Sequence, residues 1–127
     1  ALNGMNKAIR LLEENEKLFP NFLANKKSLS ALHAMIGTIP DTYKNMLSWV
    51  SSFNGSIEQG YSEIQQVVSK MNADFPFQEE VLVTKALIEL HLVNNKEAAR
   101  STINNNKLDY KDNPLINFIT ANIKSFN

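Results

Sequence analysis

The chain has 127 residues, 43% of them hydrophobic and 20% charged, with thirteen basic residues, thirteen acidic residues and no cysteine. That length and composition suit one globular domain and exclude a disordered chain, a disulfide framework, a zinc ribbon and a thiol nucleophile. A net charge of zero lacks the basic footprint that nucleic acid or an anionic membrane surface requires, and no apolar run approaches the ~18 residues of a membrane span.

In chain order, the first helix is expected over 4–18, where Met5, Ala8, Ile9 and Leu12, with Phe19 beyond them, recur at helical spacing. Glu13, Glu14, Glu16 and Lys17 make its other face polar, and Pro20 breaks it. The second helix is expected over 22–36, with Phe22, Leu29, Leu32, His33 and Ile36 on one side and Lys26 and Lys27 largely off it. Gly37 is placed to cap it, because glycine accepts positive φ without a Cβ penalty. Asp41 is the candidate N-cap of a third helix over 42–53, with Tyr43, Met46, Leu47, Val50 and Phe53 as its apolar set and Trp49 beside them. Asn54-Gly55 then turns the chain.

Ser56 followed by Gln59 has capping-box spacing and opens the fourth helix, whose stripe is Ile57, Tyr61, Ile64, Val68 and Met71. Phe75-Pro76 ends that segment. The fifth helix, 77–93, is apolar over a broad arc (Leu82, Val83, Ala86, Leu87, Leu90, Val93), so neighbours should cover it on two sides. Asn94 and Glu97 have capping spacing for a short sixth helix, 96–104, with Ala98, Ala99 and Ile103 inward. Asn113 and Pro114 supply an N-cap and a first-turn proline for a seventh, with Ile116, Ile119, Ile123 and Phe126 in line. That last helix has no cap, which fits a chain that continues or an edge that meets a partner, including a second copy. The chain also begins at Ala1, as a processed or excised segment would. No stretch alternates at period two long enough for a strand. The class is therefore all-α, about seven helices in stacked antiparallel hairpins.

Gly60 to Pro76 and Ala98 to Pro114 are both 16 residues, and the two segments are offset by 38. A period of that size marks a stacked helical repeat, with Gly60 and Ala98 at a position of close helix approach. Asn95-Lys96-Glu97-Ala98-Ala99, Asp112-Asn113-Pro114-Leu115 and the run from Met5 to Leu12 through Phe19-Pro20 resemble the tetratricopeptide (TPR) repeat, whose usual period is 34. The segment from Gly37 to Gly60 is also similar to TPR-like proteins of the mitochondrial inclusion-clearance type. The resemblance implies a single TPR-like domain over 1–127, or a piece of a longer one. It further implies an α-superhelix that binds a protein or peptide partner on its inner surface, lined by the first helix of each pair. On that geometry the candidate partner-binding residues are Asn25, Lys26 and His33 on the second helix and Lys85, Glu89 and His91 on the fifth. Trp49 is a candidate interface anchor.

Nothing in the sequence rises to a catalytic motif. There is no Gly-x-Ser-x-Gly elbow, no phosphate-binding glycine loop and no dinucleotide fingerprint among four glycines. Neither His33 nor His91 has a His, Asp or Glu at i+4 to form a metal-ligand pair, so the ordinary reading of each is a satisfied, part-buried histidine. Glu13-Glu14 and Glu79-Glu80 are adjacent and diverge on a helix, as solvated faces do. The expectation is a non-catalytic protein-interaction module without metal or cofactor. The alternative is a carrier of a small apolar ligand, with Phe22, Met46 and Ile64 lining an enclosed pocket.

Overall fold

Helix ends fall where the local chemistry dictates. The structure, a computed structural model, describes residues 2–46, 55–106 and 114–125. Among them there are seven helices and no strand: α1 (Leu2–Leu18), α2 (Leu23–Gly37), α3 (Asp41–Met46), α4 (Ile57–Lys70), α5 (Gln78–Leu87, continuing as a π-helical turn over Ile88–Leu92), α6 (Lys96–Asn105) and α7 (Pro114–Ser125). All seven sequence-derived helices are present. Trp49 and Asn113 lie outside the described residues, as does the second half of the expected third helix. The chain divides into two compact units, Ala1–Lys70 and Met71–Asn127.

The first unit is organised by the crossing of α2 over α4, its most extensive helix pairing. Leu29, Ser30 and Ala34 of α2 and Gly60, Ile64 and Val67 of α4 are buried. The α4 stripe is thus turned by about one residue from the expected one: Val67 is buried and Val68 only half-buried. Glycine sets the distance between these helices. A Cβ at Gly60 would sit 2.5 Å from the Ser30 carbonyl oxygen and 2.7 Å from the Ala34 amide nitrogen and Cβ. At Gly37 it would meet the Ile57 amide nitrogen and stand 2.7 Å from the Ser56 carbonyl carbon. Gly37 is therefore required for close approach and not for a left-handed cap: it is the last helical residue, no glycine in the described chain has positive φ, and Thr38 ends the helix at φ −83°. α1 packs on α2 through a smaller cluster in which Ile9 and Ile36 are buried and Leu32 and Ile39 are partly covered. Ala8, Phe19 and Phe22, placed on the apolar side by periodicity, are exposed.

In the second unit, Val83, Ala86 and Leu90 of α5, Ala99 and Ile103 of α6, and Ile119 and Ile123 of α7 form one apolar core. α5 contacts both α6 and α7, which accounts for its broad apolar arc. Its C-terminus closes through a left-handed Asn94 (φ 58°): the Val93 amide donates to the Ile88 carbonyl (2.9 Å) and the Asn95 amide to the Glu89 carbonyl (2.7 Å). An asparagine in the left-handed conformation just past the last turn is a common way to end a helix, and here both bonds are wide because the last turn is π-helical. The next residue starts the next helix, because the Asn95 side chain accepts from the Ala98 amide at 3.0 Å. Asn95, one residue after the expected Asn94, is the cap of α6; Asn94 has the different task of ending α5. Removing the Asn95 acceptor by Asn95→Ala should lower stability by about 1 kcal/mol in a urea melt, whereas Asn94→Gly should be neutral or slightly stabilising.

With the caps located, the internal offset becomes 39. Ser56, which accepts from the Gln59 amide at 3.0 Å, is 39 positions before Asn95. The buried pairs Gly60 and Ala99, and Ile64 and Ile103, share that separation. Ala98, matched to Gly60 by the sequence, is only half-buried.

Candidate functional site

Three of the candidate partner-binding residues lie on the face of α2 held between α1 and α4, and all three are buried. The Asn25 amide donates to the Leu12 carbonyl (2.9 Å) and reaches Glu16 Oε2 (3.5 Å). The Lys26 ammonium pairs with Glu16 at 2.6 Å and donates to Gln66 Oε1 at 3.3 Å. His33 Nδ1 meets Glu63 Oε1 at 2.5 Å, and Nε2 faces Glu13 Oε1 at 3.6 Å. Asn25, Lys26 and His33 therefore face neighbouring helices instead of an open groove, because α2 has a helix on each side. Burial of their polar atoms is tolerated because each has an intramolecular partner. The hydrogen bond to Glu63 raises the His33 pKa above its ordinary value; burial opposes this and Glu13 adds to it.

A matching pattern was present in the sequence. Glu13 and Glu16 are three residues apart on α1, as are Glu63 and Gln66 on α4, and Lys26 and His33 are seven apart on α2. Each spacing keeps two side chains on one helix face. Read one helix at a time, those glutamates look like solvated residues; read across three helices, they form two rungs.

In the second unit, Glu89 is buried and Lys85 is half-buried against it. The Lys85 ammonium donates to Glu89 Oε2 (3.0 Å) and to Thr102 Oγ1 (2.8 Å), and the Thr102 hydroxyl donates to Glu89 Oε1 (2.5 Å). Glu89 is 1% exposed, so this closed triad ties α5 to α6 inside the unit. His91 departs from the part-buried reading: it is exposed, with its ring 6.0 Å from that of Phe118 on α7. It lines a half-open cleft of about 370 Å³ with Leu90, Asn94 and Lys96, beside the π-helical turn. A smaller cleft of about 140 Å³ lies between α6 and α7, lined by residues that include Arg100, Ile103 and Ile123. Of the residues expected to line an enclosed carrier pocket, Phe22 is exposed and Ile64 is packed without exposure. Among the described residues no group of three or more His, Cys, Asp or Glu is placed to hold a metal ion, and no helix is long and apolar enough to cross a membrane.

One surface feature that periodicity missed is the corner between α1 and α2; Tyr43, placed in the apolar set of the third helix, is also exposed. Leu18, Phe19 and Phe22 are 70%, 60% and 57% exposed. The corner is ordered by its backbone: the Phe19 amide donates to the Asn15 carbonyl (2.7 Å) and the Phe22 amide to the Phe19 carbonyl (3.0 Å). Phe22 occupies the N-cap of α2 in extended conformation, with no side-chain hydrogen bond to the helix start. Asparagine, aspartate or serine would serve the helix better there by about 1 kcal/mol. A bulky residue without a capping side chain at the helix start was the available signal. No family model matches this chain, and neither a curated protein nor a solved structure matches it.

Proposed function

We propose that the chain is a non-catalytic protein-interaction module that holds a protein or peptide partner by its apolar side chains at the α1–α2 corner. The observation that carries this reading is the solvent exposure of Leu18, Phe19 and Phe22 on one hydrogen-bonded turn. Large apolar side chains grouped on a surface favour association, and each is worth roughly 1.5–3 kcal/mol when fully buried. The charge balance of the chain favours a protein over a polyanion as the occupant. The buried rungs on α2 support the role by holding the helices beneath the corner. The 39-residue correspondence between α4 and α6 supports the helical-repeat reading, although its period is longer than that of the TPR family.

The test is affinity capture with the purified chain, comparing wild type, Phe19→Ser/Phe22→Ser and a control at another exposed apolar residue, Met35→Ser. A partner retained in stoichiometric amount by wild type and control, and weakened more than about 30-fold by the double substitution, supports the reading. Retention indifferent to the corner overturns it. A wild-type dimer that the double substitution dissociates assigns the corner to self-association.

A further inference from the structure

We propose that the proton on His33 fastens α1 to the α2–α4 pair, making α1 an arm that is released when the imidazole becomes neutral. The two ring nitrogens face carboxylates from two different helices, Glu63 of α4 at 2.5 Å from Nδ1 and Glu13 of α1 at 3.6 Å from Nε2. A neutral imidazole carries one N–H and can turn it to one of them; the imidazolium presents an N–H to each, hydrogen-bonded to Glu63 and ion-paired at longer range with Glu13. When the proton leaves, the shorter contact with the more buried carboxylate, Glu63, retains the remaining N–H. The Nε2 lone pair then faces the carboxylate oxygens of Glu13, and the contact with α1 changes from attraction to repulsion. Lys26, seven residues earlier on α2, is engaged by Glu16 and Gln66, so Glu13 and Glu63 are the charged groups facing the ring among the described residues.

α1 is the element that this change would free. Ile9 is its one buried apolar side chain among the described residues, and its ties to α2 include the polar contacts of Leu12 with Asn25 and Glu16 with Lys26. The α2–α4 crossing instead has Leu29, Ala34, Ile64 and Val67 buried around Gly60. Release of α1 leaves Glu63 beside the ring, so what α1 gains from the proton is the smaller part of the raised pKa that Glu13 supplies; that gain is full below the pKa of the released state and is lost as pH rises through the higher value of the docked state. Release is thus the high-pH state, and it uncovers Leu32, Ile36 and Ile39, which pack with Ile9. This holds whether or not the corner binds a partner.

The test is amide hydrogen exchange of the full chain from pH 6 to 9, corrected for intrinsic exchange rates. The expected result is a few-fold loss of protection in α1 as pH rises to the His33 titration followed by NMR, with α4 amides unchanged. His33→Gln should make α1 protection independent of pH. Glu13→Gln, at a partly exposed position that need not disturb folding, should also flatten it, because the new amide can donate to the bare Nε2. Flat α1 protection in the wild type, equal losses in α1 and α4, or wild-type pH dependence in Glu13→Gln would each overturn the proposal.

Discussion

Gly60→Leu should lower stability by about 3 kcal/mol, at the upper end of what overpacking costs, with a correspondingly lower urea midpoint. The obstacle is largely backbone. The Ser30 carbonyl oxygen and the Ala34 amide, 2.5 and 2.7 Å from the position of a Cβ, cannot rotate away as a side chain would. Even Gly60→Ala should therefore destabilise, although alanine is the better helix former by about 1 kcal/mol. Gly4 provides the internal control. A Cβ there meets nothing within 4 Å, so Gly4→Ala should be neutral or stabilising. Equal effects at the two glycines would mean that α2 and α4 do not cross where the structure puts them.

The second large effect is expected at Lys85. Lys85→Met keeps most of the volume but leaves the Glu89 carboxylate, 1% exposed, without its ammonium. Breaking a buried ion pair from one side costs about 3–5 kcal/mol, because the surviving charge remains desolvated. That is a large share of the 5–15 kcal/mol typical of a whole domain. Adding Glu89→Gln to Lys85→Met removes the stranded charge while keeping an acceptor for Thr102, and should recover much of the loss. The informative quantity is the difference between the single and double variants in chemical denaturation. If the single substitution costs less than about 1 kcal/mol, comparable to an exposed pair, the triad is not buried as described.

The helix pattern was legible because proline, glycine and capping residues punctuate it: Pro20, Ser56, Asn95 and Pro114 all stand at or beside helix starts or stops. The helix faces were less legible. Periodicity in α2 assigns Lys26 to the outside, yet α1 and α4 together leave α2 no free side there, so Lys26 is buried against Glu16 and Gln66. The same limit applies to Lys85 and Glu89, whose partner Thr102 comes from another helix. Pairing across helices is tertiary information, and a single-helix pattern does not contain it. Sequence spacing pairs Gly60 with Ala98, the first of two adjacent alanines, whereas cap positions and burial pair it with Ala99. The corner aromatics were drawn into core stripes because hydrophobicity alone does not distinguish a buried Phe from an exposed one.

The most extensive helix pairing of each unit is connected differently along the chain. In the second, Asn94 ends one helix and Asn95 begins the next, so α5 and α6 pair through a turn with no spare residue. In the first, Gly60 is tied to Ser30 and His33 to Glu63, partners thirty positions apart, with all of α3 in the intervening loop. Closing the longer loop costs more conformational entropy before any contact repays it. The α5–α6 hairpin can therefore assemble from local encounters, whereas the α2–α4 crossing must wait for a distant segment to return.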